Sequence, residues 1–459
     1  MSSQQIQALE SEKIPKLLFH YALPAVVGTA VNSLYNVVDR IFIGNGVSEY
    51  ALSGLAITFP ILIFLMAFGM LVGAGASVRV SILLGRKDIK EAEHTLANAI
   101  FLTFFTQALT IIPCYIFMEP LLRLFGASER TLPYAMEYLQ YVVPANIFSA
   151  LSFGFNAIMR ASGYPRKAMI TMIIGAMTNV VLDYIFIYPL GMGISGAAIA
   201  TVISMIVCSV YVLSHFFRKD SIVRFHRSAF RLSLPVIGGI TAIGVAPFAM
   251  HLTGSLVNII MNRSFVSYGE TADATDLAIG AFGIINGYAM LFFMIIIGVA
   301  QGMQPIVGFN YGAKNPGRVK SAYRYSCGVN LLVSFLGFAL AMLMPRTIVS
   351  LFTNSEQMIE LSASALRTAL IGLSLVGFQV TTTQFFQSIG FSHKAIFLSL
   401  TRQIIFLIPC LLIIPRFMGV DGVWWSLPIS DLASVVLSFV LITIQMKHFN
   451  QSKKTTFAE

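Results

Sequence analysis

The sequence predicts an all-α polytopic membrane protein, with twelve transmembrane helices in two six-helix bundles related by a pseudo-twofold axis along the membrane normal. Three observations carry that prediction. Charge is scarce: 11% of the 459 residues are charged and 56% are hydrophobic, with a mean hydropathy of +0.79, whereas a soluble domain carries about 25% charged residues. Apolar runs are continuous and long enough to cross a bilayer, which takes about 20 residues as helix. Short motifs recur in the second half of the chain in the order they have in the first. At this length too few charges remain to cover soluble domains. Ordinary soluble enzymes, nucleic-acid binders and disordered chains are thereby excluded.

In chain order the spans are expected at 17–44, 52–84, 94–118, 133–159, 168–189, 195–217, 232–267, 277–308, 322–345, 358–388, 395–415 and 421–446. The longest must tilt, bend or extend past the lipid. A spanning β-barrel would need short alternating segments instead. Pro24, Pro60, Pro144, Pro235 and Pro247 fall inside the runs and are expected to kink them. The first sixteen residues are polar, and the first run is too long for a signal peptide and ends without a small-residue cleavage site. It is expected to stay as the first helix. Cys114, Cys208, Cys327 and Cys410 lie in or near apolar runs without metal-type spacing and are expected as packing residues.

Basic residues set the orientation. With twelve spans both termini share one side. Twenty-one of the thirty Lys and Arg residues fall on that side, and five (Arg40, Arg123, Arg130, Arg346 and Arg416) on the other. Both termini are therefore expected in the cytoplasm, and the net charge of +10 reports loop bias rather than nucleic-acid binding. The longest basic loop, 218–231, carries Arg218, Lys219, Arg224, Arg227 and Arg231 between spans six and seven. It reads as a hinge, a basic cytoplasmic linker between an N-terminal lobe at 1–217 and a C-terminal lobe at 232–459.

The two halves repeat. Gly85-Arg-Lys matches Gly312-Ala-Lys, Leu124-Phe125 with Ser128 matches Leu351-Phe352 with Ser355, and Gly163 to Lys167 matches Gly390 to Lys394, each at an offset of 227. Gly193-Ile-Ser-Gly matches Gly419-Val-Asp-Gly at 226. With six spans per half, corresponding helices point the same way. That parallel repeat is common in secondary transporters, whose substrates bind between the halves.

Three acids fall well inside the spans: Asp39, Asp183 and Asp431. A charge in hydrocarbon costs at least about 2.5 kcal/mol, so such residues face a cavity and mark function. Asp39 and Asp183 lie five or six residues before the outer ends of their spans, a depth of roughly 8–9 Å. Tyr138 and Thr201, on spans running the other way, share that depth. Asn179 is one turn from Asp183, and Asn36 three residues before Asp39, each on the face of its acid. Desolvation favours a protonated carboxyl, and two adjacent carboxylates hold a shared proton more tightly than one. Such a pair can take a proton outside and release it when the site opens inward. The oxygens of Asp39, Asn179, Asp183 and Thr201 suit Na⁺ as well. Asp431, ten residues into the last span, has no obvious partner in the sequence.

The second half has Asn262 opposite Asp39, and Pro409 or Cys410 opposite Asp183, so ion coupling is expected in the N-terminal half. The C-terminal half offers Asn286, Gln384, Arg402 and Asp431, with Met290, Phe293 and Met294, as lining for an adaptable substrate cavity, since Met and aromatic side chains accept varied ligands. The small-residue run Gly69, Gly73 and Gly75 permits close helix packing. HExxH, nucleophile-elbow and Walker motifs are absent, so the chain is not expected to be an enzyme. Its energy is expected from an ion gradient, with H⁺ or Na⁺ as coupling ion and no cofactor. Membrane lipids and small amphipathic organic substrates are the expected partners, nucleic acid is not, and the chain is expected as a monomer.

Several of these segments resemble one known family. They are Asn36-Val-Val-Asp39-Arg-Ile-Phe-Ile-Gly44 ending span one, Gly54-Leu-Ala after it, and Ala161-Ser-Gly-Tyr-Pro-Arg-Lys167. Asn179-Val-Val-Leu-Asp183 and Gly193-Ile-Ser-Gly-Ala-Ala198 complete the set. Together with the duplicated six-span halves, they are similar to the multidrug and toxic compound extrusion (MATE) family over nearly the whole chain. The resemblance implies a secondary active multidrug efflux antiporter of the bacterial inner membrane. Such a protein exports amphipathic, often cationic compounds in exchange for H⁺ or Na⁺ by alternating access, and so contributes to antibiotic resistance. It also implies that Asp39, Tyr138, Asn179, Asp183 and Thr201 form the N-terminal-lobe cation site of the proton-linked members. Sodium-linked relatives carry carboxylates in the C-terminal lobe, but spans seven, eight and ten hold none here, which favours H⁺. The alternative is a flippase for lipid-linked oligosaccharide precursors, for which Arg79, Arg263, Arg367 and Arg402 could supply a basic cavity.

Overall fold

Eleven helices are long and apolar enough to cross a bilayer in the structure, a computed structural model that describes residues 2–269 and 271–456. A twelfth span is a pair of helices bent by 48°. The N-terminal lobe comprises α1 (Ser2–Ser11), α2 (Ile14–Gly46), α3 (Glu49–Gly85), α4 (Ile89–Ile116), α5 (Met118–Leu124), α6 (Leu132–Ala161), α7 (Pro165–Ile187) and α8 (Gly193–Phe217). The C-terminal lobe begins with α9 (Leu234–Tyr268), α10 (Ala272–Gly312), α11 (Pro316–Leu343) and α12 (Pro345–Ser350). The bent pair follows as α13 (Glu356–Ala369) and α14 (Leu373–Ser388). The eleventh span runs through α15 (Ser392–Leu400), a π-helical stretch Thr401–Leu407 and α16 (Ile408–Ile413). The last is α17 (Pro415–Thr456), interrupted by non-helical backbone at Gly419.

The twelve expected spans are thus all present, and one of them is broken. Helix starts follow the local chemistry. Ser48, Asp88, Thr271, Asn315 and Ser355 each accept a first-turn amide at the N-termini of α3, α4, α10, α11 and α13, satisfying donors the helix leaves unpaired. Pro24, Pro60, Pro144 and Pro247 do lie inside helices. Pro235 does not kink one: it stands in the first turn of α9, where its missing N–H costs nothing.

The repeat is visible in the backbone itself. Lys87 and Lys314, 227 apart, both take left-handed conformations, with φ of 62° and 55°. Gly163 pairs with Gly390 in the same way, and Gly193 with Gly419. The lobes meet with matching symmetry: α3 packs on α9, α10 on α2, and α3 on α10 near the axis. There Gly85 abuts the Phe309 carbonyl while Gly312 abuts the Ile82 carbonyl. A Cβ at either glycine would collide with backbone that cannot yield. Within the N-terminal lobe, Gly69 and Gly73 face Ala150 and Gly154 of α6, while Gly75 faces Ile240 of α9.

This seam lies at the end of the molecule that carries both termini. Arg318 donates to the carbonyls of Leu9 and Glu12, docking α1 on the C-terminal lobe. Near the other terminus, Lys394 donates to Gln445 Oε1 at 2.8 Å. Across the seam Gln304 Nε2 donates to Ser77 Oγ at 3.3 Å. Toward the opposite end Leu34, Val37, Met250, Leu256 and Ile259 are exposed.

The basic linker is strapped to the N-terminal lobe. The Arg231 carbonyl accepts from Asn98 and contacts His94, Ser233 N donates to Asn98, and Arg224 N donates to Glu93. Tyr164 donates its hydroxyl to the Asp220 carbonyl at 2.7 Å, and its burial pushes that hydroxyl up to about 12. Lys167 pairs with the Asp220 carboxylate at 3.3 Å.

Candidate functional site: a buried acid pair in the N-terminal lobe

Four helices bring the expected polar residues to one place. Asp39 on α2, Tyr138 on α6, Asn179 and Asp183 on α7 and Thr201 on α8 are all buried. The carboxyl groups of Asp39 and Asp183 stand beside one another, close enough to interact electrostatically. Asn179 Nδ2 donates to Thr201 Oγ1 at 3.4 Å, and Tyr138 stands beside Thr201. The side chain of Asn36 lies outside the described residues. Arg40 does not pair with Asp39; its guanidinium lies over the Phe59 ring, 5.0 Å from the centroid.

The cluster is rich in acceptors and poor in donors. Asp39 Oδ1, Asn179 Oδ1 and both carboxylate oxygens of Asp183 are buried without a hydrogen-bond donor. Buried polar atoms are normally paired, so four such oxygens together form an acceptor-rich site suited to a cation. Two ionised carboxylates have no donor to offer each other. A proton on one of them, or a metal cation between them, would relieve their repulsion. Among the described residues no group of three or more His, Cys, Asp or Glu is present, so any Na⁺ ligation would draw on the Asn and Thr oxygens.

Thr201 also borders a cavity of about 70 Å³ inside this lobe, lined by Asn32, Tyr35, Ser149, Asn156 and Ser204 among others. The sequence reading missed these residues. Their signal is spacing: Asn32, Tyr35 and Asp39 recur along α2 at helical intervals, as do Ser149, Ser152 and Asn156 along α6, and Thr201, Ser204 and Cys208 along α8. Each is a polar stripe on an otherwise apolar helix.

The expected C-terminal lining is only partly assembled. Asn286 and Met290 are exposed on α10, and Phe293 is half-buried on the same face. Asp431, expected to lack a partner, has one: Arg402 Nε donates to its Oδ1 at 2.8 Å. The sequence hides this because the partners are on different spans. The Arg402 guanidinium also lies over the Phe293 ring. Met294 faces α2 at the seam, where its carbonyl accepts from Thr29. Gln384 is half-buried on α14, and no contact among the described residues joins it to this group. Arg79 pairs with Glu91 at 2.9 Å beside α9.

Two duplicated six-span lobes, with a buried acid pair inside one of them, define a membrane transporter. The chain belongs to the MATE transporter family, whose model, MatE, matches residues 24–185 and 247–413. The multidrug export protein MepA of Staphylococcus aureus (strain MRSA252) is 25% identical over 448 residues, 96% of this chain and 97% of its own. Its namesake in Staphylococcus haemolyticus (strain JCSC1435) is 25% identical over 96% of each chain. A MATE crystal structure in the bent conformation is similar at a TM-score of 0.91 and 25% identity, over 98% of each chain. A MOP superfamily transporter from Pyrococcus furiosus is similar at 0.90 and 26%, over 97% of this chain and 98% of its own.

Proposed function

We propose that the chain is a multidrug efflux antiporter that exports amphipathic, often cationic compounds in exchange for H⁺ by alternating access. The observation that carries the coupling is the surplus of buried acceptors on Asp39, Asn179 and Asp183. A proton is the smallest cation that completes such a site; Na⁺ is the competing ion for the same oxygens. Multidrug export is the activity named for the Staphylococcus relatives. The flippase reading is not favoured, because the activity named for the Staphylococcus relatives is multidrug export and Arg79 is engaged by Glu91.

Open to the outside, the acid pair takes a proton, the N-terminal lobe rearranges, and drug affinity falls. The emptied protein turns inward, releases the proton and binds drug again. By linkage, proton and drug must weaken each other's binding to the same degree. The Lys and Arg bias orients both termini to the cytoplasmic face of the bacterial inner membrane. Proteoliposome efflux of a cationic dye, with a pH gradient and a Na⁺ gradient imposed separately, tests the scheme. Efflux driven by the pH gradient alone is expected. Efflux driven only by Na⁺ reassigns the coupling ion, and efflux driven by neither overturns antiport.

A further inference from the structure

We propose that the C-terminal lobe holds a subsite for the carboxylate of an aromatic substrate, formed by Arg402 over Phe293 and aligned by Asp431. The proposal rests on the reading of the chain as an exporter of amphipathic compounds and names a substrate class for it.

The face of α10 that meets the N-terminal lobe is fixed by Gln304, which bonds Ser77 across the seam. Phe293 lies eleven residues earlier, roughly three turns, on that same face, and Met290 and Asn286 continue it. Beyond the seam Met290 and Asn286 are exposed on this face. The Arg402 guanidinium carbon stands 5.8 Å from the Phe293 ring centroid. Its Nε is held by Asp431, and the Asp431 carboxylate is itself wedged at the break between α13 and α14, where a Cβ on Gly372 would come within 2.6 Å of it. The two terminal nitrogens of Arg402 donate to nothing among the described residues, and a quarter of the side chain is accessible. A guanidinium offers a planar fork of donors matched to a carboxylate.

Two further observations mark the place. Arg402 lies in the π-helical stretch, and such stretches are frequent at functional sites. Its neighbours Thr401 Oγ1 and Gln403 Oε1 are buried without partners. By the 227 and 226 offsets, Arg402 and Asp431 occupy the positions of Gly175 and Met205, which line the N-terminal-lobe cavity. One lobe has space where the other has an ion pair. A cation would have to break the Arg402–Asp431 bond to reach the acid, whereas a carboxylate meets the open edge of the guanidinium with that bond intact. The aromatic part of the ligand then packs beside Phe293 and Met290.

The test compares Nε-dansyl-lysine, which carries a free carboxylate, with its methyl ester, by fluorescence binding to the purified full-length protein. Arg402→Gln/Asp431→Asn removes both charges together, so neither is left buried alone. In that variant the acid is expected to bind at least about tenfold more weakly while the ester changes by less than about twofold. Arg402→Lys, which keeps the charge but not the fork, is expected between the two. Equal losses for acid and ester, or no binding of the acid by the unmodified protein, overturn the subsite. Ethidium efflux under a pH gradient reads the parent function separately. Its absence defeats the efflux reading, whereas ethidium efflux without discrimination between acid and ester defeats only the subsite.

Discussion

The carboxyl groups of Asp39 on α2 and Asp183 on α7 stand beside one another, and no described residue donates to Asp39 Oδ1 or to either oxygen of Asp183. A proton or cation shared between them would join the first and fifth spans. Its movement would then change what holds the two helices together.

Asp39→Asn and Asp183→Asn keep the volume and supply an amide donor, but neither variant titrates. Each is expected to lower pH-gradient-driven efflux at least about tenfold without lowering the thermal midpoint in detergent. Full efflux by both variants would sink the coupling role of the pair.

Thr201 Oγ1 accepts from Asn179 Nδ2 beside Tyr138. Thr201→Val retains shape but leaves the buried Asn179 amide short of a bond, at a cost of about 1–3 kcal/mol. A drop of several degrees in thermal midpoint is expected, along with a weakened effect of pH on drug affinity. Thr201→Ser should restore both, and a Val variant identical to the unmodified protein contradicts the assignment.

Gly85 and Gly312 hold the lobes at carbonyl contact across the pseudo-twofold axis. Gly85→Val overpacks that seam by about 1–3 kcal/mol. The expected result is greater maleimide labelling of a cysteine placed at Ser77, in a background without the four native cysteines. Unchanged labelling would show that the contact does not keep the seam closed.

Partial burial works against the Asp220 carboxylate, but its bond to Lys167 and the lysine's charge outweigh it and hold the group below the usual range. A carboxylate so lowered stabilises the fold above its unfolded value, near ~3.9. That contribution fades as pH falls through the lower folded value. Because both side chains are partly exposed, it should amount to less than about 1 kcal/mol. Asp220→Asn is expected to melt slightly earlier than the unmodified protein near neutral pH, and the gap should close in acid. A gap that persists in acid assigns the effect to packing.

Much of this molecule could be read from the residues in order. Hydropathy marks the spans because lipid accepts only closed backbone hydrogen bonding. The repeat fixes the parallel relation of the halves. Depth counted along each span gathers Asp39, Tyr138, Asn179, Asp183 and Thr201 before any packing is known. The lining residues Asn32, Tyr35 and Ser204 were legible only as stripes, because a helical period names a face but not what that face meets.

The sequence by itself determined the helices, their order and the depth at which its few buried acids stand. Tertiary structure decided which of those acids lack donors and which are answered. Asp183 meets another carboxylate, whereas Asp431 meets Arg402. It also decided that the tenth span breaks and that the linker lies strapped to one lobe. The reason is physical: spacing along one helix is set by 1.5 Å per residue. Rotation and register between helices are set instead by close approaches such as those at Gly85 and Gly312, and these involve residues more than two hundred positions apart.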